Sequence, residues 1–273
     1  MHYLLIVEGE KAEPKLFESI FKRYGFTVIQ HPRPKSFKDN ISFDFTESSI
    51  SNGKNIVHIM QAPNNCIEGF LKKAKEENWD LSKTFNHDTD FFAAKFIVFD
   101  VDHAPDDILS SMMSHYCDET DQGLLIVSSP CLEILSEPHR KEPIIVKHLR
   151  EYKRLRNTQL DTDPNIKMSA INYIVENFED LILEFLISNV ALFKDNNVME
   201  HPHPAIDEIN RLNYRSKEQV RYYYFTKVIY VVIAYIMGLT KQVDNANAVR
   251  EFLKSHSCRV ATNEDILSSD NHS

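Results

Sequence analysis

Two short apolar runs end in carboxylates. Leu4-Leu5-Ile6-Val7 leads into Glu8-Gly9-Glu10, and Phe96-Ile97-Val98-Phe99 leads into Asp100-Val101-Asp102. Runs this apolar predict strands buried on both faces of a parallel sheet. In such a sheet the ligand crevice lies beyond the carboxyl ends of the strands, so Glu8, Asp100 and Asp102 are expected to meet at one rim. Three gathered carboxylates repel one another unless a cation joins them, and hard oxygen donors favour Mg²⁺ or Mn²⁺. That combination suits phosphoryl transfer, with Glu8 bridging a metal or managing a proton at a phosphate-ester oxygen.

Each of these residues also has a plainer use. Asp102 suits the N-cap of a helix beginning near residue 104. Glu10 and Glu13 fit the favourable negative charge at a helix N-terminus. Lys11 can contact a substrate phosphate or simply face solvent. Gly9 permits a tight turn and a close backbone approach.

The elements that would position these groups alternate. A strand at 3–7 precedes a helix over about 13–24, with Pro14 in its first turn and an apolar stripe of Leu16, Phe17, Ile20 and Phe21. Gly25 is expected to cap that helix, and 26–30 to form the next strand. Residues 31–55 are polar and irregular. Further strands are expected at 55–61, 95–99 and 123–128, with helices over 67–78 and 104–116. This alternation predicts an α/β domain over residues 1–150. Residues 151–273 change character, with helical patterns at 169–193 and 217–239 and a polar tail from 262. The apolar stretch at 228–239 is too short to span a bilayer and is expected to be a buried helix.

Composition narrows the class. The 273 residues are 42% hydrophobic and 26% charged, as in ordinary globular proteins. The formal net charge of −9 argues against nucleic-acid binding through bulk charge, so a local basic surface, a metal or a partner must supply any such attraction. Cys66, Cys117, Cys131 and Cys258 show no metal or disulfide spacing, which suits reduced thiols in the cytoplasm. No leader is expected, because a strand of catalytic character begins at Tyr3.

Three ordered segments carry a resemblance: Val7-Glu8-Gly9-Glu10-Lys11-Ala12-Glu13-Pro14, then Phe99-Asp100-Val101-Asp102-His103, then Ser129-Pro130-Cys131-Leu132-Glu133. Together they resemble the signature of RloB-like proteins of the Toprim superfamily, over roughly residues 3–140. The resemblance implies a Toprim-like parallel sheet flanked by helices, followed here by the helical C-terminal region. It implies Glu8 as catalytic acid/base or metal ligand, and Asp100 and Asp102 as catalytic Mg²⁺ ligands. The family pattern after Pro-Cys carries aromatics that this chain lacks, although Glu133 and His139 match. Glu133 is therefore either a further metal ligand or the cap of a following helix. His103 and His139 would touch substrate phosphate, or else lie on the surface. Family context implies a metal-dependent endonuclease acting in antiphage defence, gated by a partner ATPase, with RNA (tRNA included) slightly ahead of DNA. Self-association stays open.

The charge distribution is an independent signal. Residues 100–122 hold seven Asp or Glu and no Lys or Arg, whereas 139–156 hold seven Lys or Arg against two Glu. On a helix through the basic segment, Lys147, Arg150 and Arg154 fall towards one face, either to contact backbone phosphate or as a solvated face. Arg221-Tyr222-Tyr223-Tyr224-Phe225 offers base-stacking surfaces or, more simply, helix packing. Two rival classes stand beside the nuclease: a non-catalytic Toprim module that binds nucleic acid or a protein, and a receiver-like phospho-acceptor domain. The paired aspartates and the absence of a late strand-end lysine argue against the receiver.

Overall fold

A computed structural model describes residues 1–34, 55–64, 67–77, 91–100, 106–128, 132–136, 149–156, 169–190, 227–242 and 245–256. In chain order the elements are β1 (His2–Val7), α1 (Ala12–Arg23), β2 (Thr27–His31), β3 (Ile56–Gln61), α2 (Ile67–Glu77), β4 (Ala94–Asp100), α3 (Asp106–His115), β5 (Cys117–Asp118) and β6 (Gly123–Ser128). A 3₁₀ turn (Leu132–Ser136) follows, then α4 (Leu149–Arg156), α5 (Ala170–Glu176), α6 (Phe178–Ser188), α7 (Val228–Met237), a second 3₁₀ turn (Leu239–Gln242) and α8 (Ala246–His256).

The apolar runs do form the centre of a mixed α/β fold. Six strands lie in the order β2-β3-β1-β4-β6-β5, parallel except for β5. Leu4, Leu5, Ile6 and Val7 are all fully buried, because both faces of the sheet are covered. Leu5, Val7, Phe96, Val98 and Ile126 pack in one core with α1 and the C-terminal helices α5 to α8. Leu4, Ile6, Ile97 and Phe99 pack on the other face with Phe70 of α2 and Met112 of α3.

Helix α1 buries the expected stripe of Leu16, Phe17, Ile20 and Phe21. It ends in a Schellman motif: Phe26 N–H donates to Phe21 O at 3.0 Å and Gly25 N–H to Lys22 O at 3.1 Å. The rings of Phe21 and Phe26 meet edge-on at 5.3 Å, and Gly25 takes a φ of 80°. An L side chain is disfavoured there, so Gly25→Ala is expected to lower stability by about 1 kcal/mol in urea unfolding.

Polar bonds tie α1 to segments far along the chain. Lys15 Nζ donates to Asn172 Oδ1 at 2.7 Å, Arg23 Nη1 to Val175 O at 2.9 Å, and the Tyr24 hydroxyl to Glu179 Oε1 at 3.1 Å. The helical pattern at 169–193 resolves into α5 and α6, separated at Asn177, whose side-chain amide donates to Tyr173 O. Helix α7 is buried as its apolar sequence predicts, and its Tyr230 hydroxyl donates to Leu135 O at 2.7 Å. Among the described residues no helix is long and apolar enough to cross a membrane.

Two features have no counterpart in the sequence pattern. Cys117–Asp118 forms a short antiparallel strand against β6, with Asp118 Oδ1 accepting from Thr120 N–H and the buried Lys95 Nζ donating to Thr120 O, both at 2.7 Å. The sheet also carries a row of three imidazoles. His2 Nδ1 lies 2.9 Å from His58 Nε2, and His58 Nδ1 lies 3.0 Å from His31 Nε2. Burial holds His31 down to about 4 and His58 to about 3, the latter helped by its two imidazole neighbours.

Candidate active site

Strand order fixes where a ligand can enter. From β1 the chain travels outward through α1 to β2, returns to β3 beside β1, and then crosses to β1's other side to make β4. Strands β1 and β4 are therefore the neighbours at which the order reverses. Helix α1 leaves β1 on one face of the sheet, while α3 covers the other face. The gap beyond Val7 and Asp100 is the crevice that this topology opens. Strand β6 ends level with it, because Ser128 pairs with Asp100.

Glu8 lies one residue beyond β1. Its N–H donates to Val98 O at 3.1 Å, which continues the ladder, and its Oε2 accepts the Asp100 N–H at 2.8 Å. Two acidic positions 92 residues apart are thus joined at one rim. Asp100 closes β4, and its Oδ2 lies 3.3 Å from Lys153 Nζ on α4. The Asp100 side chain is 12% exposed and that of Lys153 34% exposed, so this is a partly shielded ion pair.

Glu13 belongs to the same group. It lies in the first turn of α1, where a favourable charge was the expectation, but it is buried rather than solvated. Its carboxylate lies where a Cβ on Gly9 would overlap Oε2, so the glycine makes room for the acid. Burial raises the Glu13 pKa above the ordinary carboxyl range. The negative charge of Glu133 adds to the rise, while Lys153 and backbone donors, Gly9 among them, oppose it. Glu133 itself sits half-buried in the first 3₁₀ turn, just past the end of β6.

Helix α4 is held close to this rim. Arg156 Nη2 donates to Ser136 O and to Ser136 Oγ, each at 2.8 Å, and Tyr152 is buried. Arg150 and Arg154 lie on its exposed side. Lys11 is exposed at the start of α1, where its carbonyl accepts from Lys15 N–H. Asp102, His103, His139 and Lys147 lie outside the described residues, as do the aromatic run at 221–225 and the tail from 262.

The ends of β1, β4 and β6 thus bring Glu8, Asp100, Glu13 and Glu133 to one region, with Lys153 among them. Sequence reasoning assigned Glu13 to the helix end and did not place Lys153 with the phosphate-facing residues of its segment. The available signal for Glu13 was its position one turn after a glycine that follows a strand-end acid. As a donor set these oxygens suit a hard divalent cation. Among the described residues no three acidic, histidine or cysteine side chains are grouped closely enough to hold a metal ion. Comparison of the chain with protein-family models, with characterised proteins and with solved structures gives no match.

Proposed function

We propose that this chain is a Toprim-type, RloB-like, metal-dependent endonuclease that cleaves nucleic acid, RNA (tRNA included) slightly ahead of DNA. The observation that carries the reading is the bond from Asp100 N–H to Glu8 Oε2 at the strand-order reversal. It joins the ends of the two acidic motifs in the place where α/β sheets bind ligands.

Asp100 and Asp102, with Glu8 beside them and Glu133 as a further candidate, would hold Mg²⁺ or Mn²⁺. When bound, the cation supplies charge neutralisation at the phosphate and acidifies a coordinated water. Glu8 would accept the proton released as water oxygen attacks phosphorus, and the P–O bond to the leaving ester oxygen would break as that oxygen takes a proton from solvent. Arg150 and Arg154, exposed on α4, meet the flanking backbone phosphates together with Lys11 and Lys147. The overall negative charge fits a protein that docks on a partner, here a gating ATPase in a cytoplasmic antiphage system.

The test is Mg²⁺-dependent cleavage of total RNA and of plasmid DNA, with and without the candidate ATPase. Cleavage that persists undiminished in Asp102→Ala would refute the site. One observation favours the second reading, a non-catalytic Toprim module: Asp100 already faces a cation, Lys153. A binding module should keep its biological effect in Glu8→Ala, whereas the nuclease should lose it.

A further inference from the structure

We propose that Arg33 is a positioning residue of the rim, acting through Glu10 to hold the Glu8-Gly9-Glu10 turn in the shape that aims the Glu8 carboxylate at Asp100. Its consequence for catalysis rests on the nuclease reading above, whereas the shape of the turn can be observed without cleavage.

Arg33 stands between Pro32 and Pro34, just past the end of β2. Proline fixes its own φ and confines the residue before it to extended backbone, so this segment is stiff. From there the guanidinium crosses to two neighbouring strand ends. Its Nε donates to Ala62 O at 3.0 Å, beyond β3, and its Nη1 donates to Glu10 Oε1 at 2.5 Å, beyond β1. Gln61, the last residue of β3, completes the clamp, because its side-chain amide donates to Glu10 O at 3.1 Å. Ala62 N–H in turn donates to Val7 O at 2.7 Å. The ends of β2, β3 and β1 are thereby tied together beside Glu8.

The turn has separate holds on its two sides. Towards β4, Glu8 N–H donates to Val98 O and Glu8 Oε2 accepts the Asp100 N–H, while Gly9 N–H serves the Glu13 carboxylate. Towards β3 and β2 the hold is on Glu10. Lys11, at the N-cap of α1, makes no side-chain capping bond, so the helix start does not supply that second hold. Stability alone would not select an arginine here. Its Nη2 is buried with no hydrogen-bond partner among the described residues, a cost that an apolar side chain would not incur. The Glu10 side chain is 56% exposed, so its ion pair with Arg33 contributes little to the fold. What the arginine supplies is direction: a planar fork that bonds acceptors on two different loops at fixed angles.

Three measurements on the full chain test this together: steady-state cleavage, urea unfolding, and the Asp100 amide resonance in ¹⁵N-labelled protein. Arg33→Met and, independently, Glu10→Ala are expected to lower kcat about ten- to a hundredfold with KM within about twofold, as misplacement of a catalytic group does. The Asp100 amide proton, which points at a carboxylate, is expected to move upfield in both variants, while the urea midpoints stay close to that of the parent. The double variant should fall no further than either single one, because both remove the same contact. Should Arg33→Met fail to fold, Glu10→Ala, made at a largely exposed side chain, carries the same test. A higher KM at unchanged kcat would overturn the proposal, since Arg33 would then be holding substrate. So would losses that add in the double variant, an unmoved Asp100 amide, or a stability loss in Glu10→Ala large enough to account for the fall in kcat. If the parent cleaves neither RNA nor DNA, the nuclease reading fails, and the Asp100 amide alone decides whether Arg33 holds the turn.

Discussion

Asp100→Asn is expected to lower Mg²⁺-dependent cleavage by about a thousandfold, the scale on which removal of one electrostatic contact in an active site acts. The substitution keeps the shape of the side chain. It also keeps the backbone N–H that Glu8 Oε2 accepts, so the joint between β1 and β4 survives. What disappears is one negative charge and the pairing with Lys153. Because Lys153 is about one-third exposed, losing that pair should change stability by less than about 1 kcal/mol. Glu8→Gln provides the companion measurement. Its amide oxygen can still accept the Asp100 N–H, but the group no longer takes up a proton, and a fall of about 10² to 10⁴ is expected. Glu8→Ala would in addition take away the acceptor and is the less clean variant. Single-turnover cleavage alongside urea unfolding separates loss of chemistry from loss of fold. Full activity in Asp100→Asn would contradict the assignment outright.

The second large effect concerns mild acid. Shifting the pH from about 7 to about 5 is expected to remove about 2 to 4 kcal/mol of stability, most of it below pH 6.5. His31 and His58 titrate in the unfolded chain near the ordinary value of 6.5, whereas the fold holds them to about 4 and about 3. Between those values the unfolded chain binds more protons, so stability falls as the pH falls. The contribution is fully present above 6.5. Each group contributes about 1.4 kcal/mol per pH unit in that window, and two groups over about 1.5 units set the upper figure. Glu13 works in the opposite direction, because its pKa is raised, and so trims the total. Urea unfolding at a series of pH values gives the slope directly. In His58→Leu the slope between pH 5 and 6.5 should be roughly halved, and an unaltered slope would move the effect away from this row of rings.

The distribution of these groups shows what local pattern can and cannot reveal. The continuous apolar runs at 4–7 and 96–99 mark buried parallel strands because alternation is lost only when both faces are covered. That pattern, with the rule that ligands sit beyond strand ends, suffices to bring Glu8 and Asp100 together. Gly25 is equally legible, since a helix of this phase needs a left-handed residue where it stops. Other features depend on neighbours distant in the chain. His2, His31 and His58 become a row only once β2, β3 and β1 are known to be adjacent in that order. Lys153 is one of seven basic residues in its segment, and only the docking of α4 on Ser136 directs it inward. Glu13 looks like ordinary helix-end charge until Glu133 and Lys153 are seen beside it. Strand β5 has two residues, too few to show any period, and Asn177 divides a helical pattern that periodicity alone reads as continuous.

The polar ties between α1 and residues 172–179 have a consequence for how the protein is made. The helix that follows the first strand finds its lateral support only after about 150 further residues have been synthesised. Apolar surface on that side of the nascent sheet must wait for Phe178, Tyr230 and their neighbours to leave the ribosome. Native pairings so distant in sequence close slowly, and the interval leaves the growing chain open to association with others. A ribosome-bound holdase that covers this surface until the later helices emerge would therefore be expected to raise the yield of folded protein.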